Sequence, residues 1–79
     1  MSIEEEVIKI VAEQFKIEES QINRNTKFVD DLKAKSIQII EMCATMEDQF
    51  DIEIDMEEAR KNKTVGEAID YIEKLLKEK

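Results

Sequence analysis

The sequence predicts an all-α fold: a small four-helix bundle with a long first loop and a short third helix. Three observations lead there. The 79 residues include no proline and only one glycine. Apolar residues recur at helical spacing in three separate stretches. Two of those stretches follow a capping-box pattern, Ser2 with Glu5 and Thr64 with Glu67. A chain this short buries only about 60% of its unfolded surface, so one domain over residues 1–79, of modest stability, is expected.

The first helix opens at Ser2, carries Ile3, Val7, Ile10, Val11 and Phe15 on one face, and ends near Lys16. From Ile17 to Lys35 the periodicity lapses around Ile22, Phe28, Val29 and Leu32. Loops of this length in so small a domain are usually either functional or wrongly assigned. Ser36 is the expected N-cap of a second helix running to about Phe50; Ile39 at the third helical position predicts a cap with no reciprocal partner. Asp51-Ile52-Glu53-Ile54 alternates like a strand, but a lone four-residue strand has nothing to pair with, so extended loop is expected. A short third helix covers Met56 to Arg60. The last helix starts after Thr64 and is marked by Val65, Ala68, Ile69, Ile72, Leu75 and Leu76.

At about 100° per residue, Ile39, Met42, Cys43, Met46 and Phe50 share one arc of the second helix, a sufficient core face. Ile37, Ile40 and Ala44 fall on the opposite side among Glu41, Glu47 and Asp48. Apolar spots set in negative charge suggest an interaction surface, although aliphatic residues exposed singly need no function.

Charge is concentrated in the middle of the chain. The net charge is −8, and residues 30–58 alone hold ten acids and two bases, while residues 37–58 hold eight acids and no base. That suits basic protein partners and argues against nucleic acid, whose phosphates would be repelled. The absence of histidine and of a second cysteine removes zinc sites, internal disulfides and His-dependent nucleophilic catalysis. Asp51, Glu53, Asp55 and Glu57 do not make a calcium loop, because Met56 and Asn62 stand where the turn glycine and bidentate glutamate belong. Cys43 lies on the core face and is read as a buried structural thiol. With four aromatic residues, a deep rigid cleft is not expected. No export signal opens the chain and no apolar run approaches the ~20 residues of a membrane span, which predicts a cytoplasmic protein without a span.

Five collinear segments carry a family resemblance: Ile3-Glu4-Glu5-Glu6-Val7, Phe28-Val29-Asp30-Asp31-Leu32, the Ser36 helix, Glu47 through Ile54, and Thr64 through Ile72. Together they resemble the acyl carrier proteins over nearly the whole chain. The resemblance implies that Ser36 carries phosphopantetheine, transferred from coenzyme A by a phosphopantetheinyl transferase. It further implies acyl groups held as thioesters on that arm, in fatty-acid or related lipid or polyketide biosynthesis. By the same resemblance the helix after Ser36, with Ile37, Ile40, Glu41, Ala44, Glu47 and Asp48, docks acyl-processing enzymes with basic surfaces. The protein is then a carrier and not an enzyme, with no catalytic or metal site, working as a monomer that docks transiently.

Departures from the family pattern cluster at the serine. Where the family usually reads Asp-Leu-Gly-Ala-Asp-Ser-Leu, this chain has Lys33 for the glycine, Lys35 for the second aspartate and Ile37 for the last leucine. Each direct contact so lost weakens recognition by a basic transferase by about 0.2–1 kcal/mol. Asn62 and Ile39 depart from the family near its acyl cavity, so a moved or shrunken cavity is expected. These departures suggest a specialised carrier serving a dedicated pathway. They leave open two other readings, a carrier of aminoacyl or other polar cargo and a non-carrier interaction module that keeps the fold.

Overall fold

The structure, a computed structural model, describes residues 2–79. Its helices are α1 (Ile3–Phe15), α2 (Ser36–Phe50), α3 (Met56–Ala59) and α4 (Val65–Lys77), with a single 3-10 turn at Glu19–Gln21. Among the described residues no strand forms, only an isolated antiparallel bridge between Lys27 and Thr64. After a turn at Asp51, residues 52–54 join no helix or strand, as their alternation without a partner requires.

Both expected capping boxes are present. Ser2 Oγ accepts from the Glu5 N–H and Glu5 Oε1 from the Ser2 N–H, each at 3.1 Å. Thr64 Oγ1 accepts from the Glu67 N–H at 3.2 Å, while Glu67 Oε1 accepts from the Thr64 and Lys63 N–H groups at 3.0 and 2.6 Å. Bonds of this kind satisfy donors that a helix start otherwise leaves to water. The ends of α1 and α2 lack the usual glycine. Lys16 and Asp51 take the left-handed conformation instead, and their N–H groups return to the carbonyls of Ala12 and Glu47. Lys79 Nζ lies 3.1 Å from Asp51 Oδ2 and 3.4 Å from the Phe50 carbonyl, setting a cation at the negative end of α2.

The core is built from Val7, Ile10 and Val11 of α1, Met42, Met46 and Phe50 of α2, and Val65, Ile69 and Ile72 of α4, with α1 packed against both long helices. Ile22 and Phe28 of the long loop join it. This loop is therefore a structural element held by long-range bonds. Arg24 is its rivet: its guanidinium reaches Glu4 Oε1 at 3.1 Å, Asp70 Oδ1 at 2.8 Å and the Gly66 carbonyl at 3.3 Å. Backbone bonds from Val65 N–H to the Thr26 carbonyl and from Gly66 N–H to the Arg24 carbonyl, both 2.9 Å, seam the loop to the start of α4. A Cβ on Gly66 would stand 2.9 Å from the Arg24 carbonyl oxygen, so close approach explains the one glycine of the chain. Thr26, the one buried polar residue among those described, accepts from the Asn23 N–H at 2.9 Å.

Candidate functional site

Between this seam and α2 the chain makes a tight turn. The Asp31 and Leu32 N–H groups return to the Lys27 carbonyl, Lys33 N–H to Val29 and Ala34 N–H to Phe28, while Asp31 Oδ2 accepts from the Lys27 N–H at 2.8 Å. Closing the turn puts Lys33 at φ 54°, the left-handed region where a side chain is unfavourable. Lys33 holds the place of the family's glycine, in a conformation that glycine adopts without strain.

The helix start differs from expectation by one residue. Lys35, not Ser36, is the N-cap: it is extended, its carbonyl accepts from the Gln38 and Ile39 N–H groups, and its own N–H donates to Gln38 Oε1 at 2.8 Å. Gln38 thus supplies the reciprocal half of a cap that a Ser36 start would have denied it. Ser36 becomes the first residue of α2. Its side chain is exposed and its hydroxyl makes no hydrogen bond among the described residues. The serine is therefore free of the capping duty that would explain it structurally. No acid stands in the first turn of α2, and its opening N–H groups face outward with the positive end of the helix dipole.

Beyond Ser36 the outward face of α2 matches the angular count. Ile37 is 58% exposed and Ile40 46%, and Val29 in the preceding turn is 61% exposed, so the large apolar side chains most open to water all lie in this part of the chain. Ala44 and Asp48 are exposed as well. Two acids of that face have inward ties: Glu41 Oε1 accepts from Gln14 Nε2 at 3.1 Å, and half-buried Glu47 accepts from the Ile54 N–H at 2.8 Å. Glu47 thereby pins the extended segment to α2.

Behind α2 lies a largely apolar cavity of about 460 Å³, lined by Phe28, Ile39, Met42, Cys43, Met46, Ile54, Ala59, Asn62, Ala68, Tyr71 and Ile72, together with Val29 and the charged residues Lys27, Asp30, Arg60 and Lys63. A cavity is thus present beside the residues that the resemblance placed near one. Ile39 and Asn62 both line it, and the four-residue α3 spans its edge without filling it. Sequence periodicity marks which faces turn inward but not where inward faces fail to meet, so only the family resemblance pointed to this space. Cys43 is buried, as its place on the core face predicts. Burial, with Glu47 nearby, pushes its thiol up from the ordinary value, which keeps it protonated and unreactive. Tyr71 is raised too, chiefly by burial, and its hydroxyl accepts from the Asp55 N–H at 3.2 Å. No group of metal-ligating side chains occurs among the described residues, and no helix there is long and apolar enough to cross a membrane.

Comparison with known proteins agrees with this architecture. Residues 5–72 match the family model described as "Phosphopantetheine attachment site". An acyl carrier protein of Chlamydia felis (strain Fe/C-56) is 40% identical over 72 residues, covering 91% of this chain and 92% of that one. The solved acyl carrier protein of Enterococcus faecalis superposes with a TM-score of 0.78 at 40% identity over 92% of each chain. The chain belongs to the acyl carrier protein family and is a carrier of covalently attached phosphopantetheine.

Proposed function

We propose that Ser36 Oγ is the attachment point and that the loaded protein shuttles acyl intermediates in fatty-acid or related lipid or polyketide biosynthesis. The observation that carries this reading is the free hydroxyl of Ser36 at the first position of α2, exposed and without a hydrogen bond among the described residues. A phosphodiester there meets no first-turn acid and sits at the positive end of the helix dipole, an interaction of about 0.3–1 kcal/mol at the surface. The arm, when attached, supplies a thiol that holds the acyl group as a thioester. The chain's own residues supply position, docking and shelter.

Docking falls to Ile37, Ile40 and Ala44 as apolar contacts, with Asp48 and Glu41 as the charges that meet a basic partner. Glu47, tied to Ile54, acts more as a brace than as a contact. The cavity favours acyl over polar cargo: most of its lining is aliphatic, methionine, cysteine and aromatic, with Lys27, Asp30, Arg60, Asn62 and Lys63 as the polar members, and an apolar chain entering it leaves water. The protein works as a monomer in the cytoplasm, serving as a carrier for separate enzymes. Incubation with coenzyme A and a broad-specificity transferase, followed by intact mass measurement, is expected to add one phosphopantetheine, and Ser36→Ala to abolish the addition completely. Unmodified wild-type protein after trials with several transferases, the native one included, would refute the reading.

A further inference from the structure

The two charges nearest Ser36 in the chain have the opposite sign from those of the helix behind it. Lys33 and Lys35 bracket the serine, both exposed, and neither takes part in an ion pair among the described residues. Asp30 and Asp31, also exposed, precede them in the same turn, but Asp31 turns back to the Lys27 N–H and Asp30 lines the cavity, which leaves Lys33 and Lys35 as the charges nearest Ser36 in the chain. Along α2, at 1.5 Å per residue, Glu41 stands about 9 Å and Asp48 about 20 Å beyond Lys35. The Debye length at physiological ionic strength is about 8 Å, so a partner feels a positive end and a negative end separately, not the averaged charge. A uniformly basic surface would be attracted by the far part of α2 and repelled where it must come closest.

Lys33 adds an independent sign of selection. It occupies a left-handed position that glycine would fill at lower cost, and the other two residues with positive φ, Lys16 and Asp51, merely end helices. Non-glycine residues held in such conformations concentrate at functional sites.

Resting on the assignment of Ser36 as the attachment point, we propose that Lys33 and Lys35 determine which transferase loads this carrier. The partner they fit presents acidic side chains to the turn before Ser36 and basic side chains to Glu41 and Asp48, with Val29, Ile37 and Ile40 seated between the two patches. A transferase that is basic throughout its serine-facing surface is turned away.

The test is the rate of coenzyme A-dependent loading, kcat/KM, for wild type, Lys33→Asn, Lys35→Gln and the double variant. It is measured with the host organism's own transferase and with a broad-specificity enzyme whose serine-facing surface is basic. The double variant is expected to lose about tenfold with the native enzyme and to gain with the basic one, both changes shrinking as salt is raised. Reversing one acid of the native enzyme to lysine is expected to restore loading of a Lys35→Asp carrier. Equal rates for all four carriers with both enzymes, at low and high salt, would overturn the proposal while leaving Ser36 as the attachment site. Loss with both enzymes together would also overturn it, since that is the mark of a disturbed turn. Failure of wild type to load at all would instead strike the attachment assignment itself.

Discussion

The two sides of this small bundle are packed by different means. Where the long loop meets α1 and the start of α4, contact is close and polar: Arg24 reaches three acceptors, two backbone bonds seam Thr26 and Arg24 to Val65 and Gly66, and no room remains for one methyl group. Where α2 faces α3 and the outer part of α4, the lining is flexible and apolar, and about 460 Å³ is left open. The closed side fixes the turn that delivers Ser36. The open side is bounded by methionines and a four-residue helix, which adapt where branched side chains would not. Rigidity of the site and softness of the cavity are thus assigned to opposite faces of one core.

Adding atoms to each side exposes the contrast most strongly. Gly66→Ala drives a Cβ against the Arg24 carbonyl, which is backbone and cannot swing aside, and overpacking of this kind costs about 1–3 kcal/mol. A lowered urea midpoint with an unchanged m-value is the expected readout. Ala59→Leu adds more volume at the cavity edge, yet should change stability by less than about 1 kcal/mol, because the side chain enters space already present. If Ala59→Leu proves as damaging as Gly66→Ala, the two sides do not differ as described.

Acidification acts more gently, on the closed side. Glu67 is held below the ordinary carboxylate range, first by the Lys63 N–H and then by the Thr64 N–H. A depressed value means that the charged form is favoured by folding. Its contribution is complete above the ordinary carboxylate value and is lost as pH falls through the lowered one. The stability gap between wild type and Glu67→Gln should therefore narrow from neutral pH toward pH about 3. A gap that holds constant across that window would show the bonds to be indifferent to charge.

How far the chain could be read in advance follows the same division. Helices were legible because apolar spacing and two capping boxes are local signals, and the burial of Cys43 and exposure of Ile37 and Ile40 followed from angle alone. The start of α2 was misplaced by one residue because lysine offers no capping acceptor; only Gln38, three residues on, betrayed the cap at Lys35. Arg24 gave no hint of its role, since Glu4, Gly66 and Asp70 are far from it in sequence. The cavity left no mark in the periodicity for a related reason: emptiness results from three elements failing to meet, and only the family resemblance pointed to Ile39 and Asn62 beside it.

The left-handed turn at Lys33 has a consequence for how such carriers can diverge. Its backbone shape is set by Phe28, Val29 and the seam beneath them, and glycine or lysine can sit in it with the same path. Lysine in place of glycine there carries a conformational cost of about 1–2 kcal/mol, offset in part by the smaller entropy of the unfolded chain. The position is therefore a replaceable label on a fixed mount: under the proposed role of Lys33, altering one side chain changes which transferase loads the carrier while the fold is inherited intact.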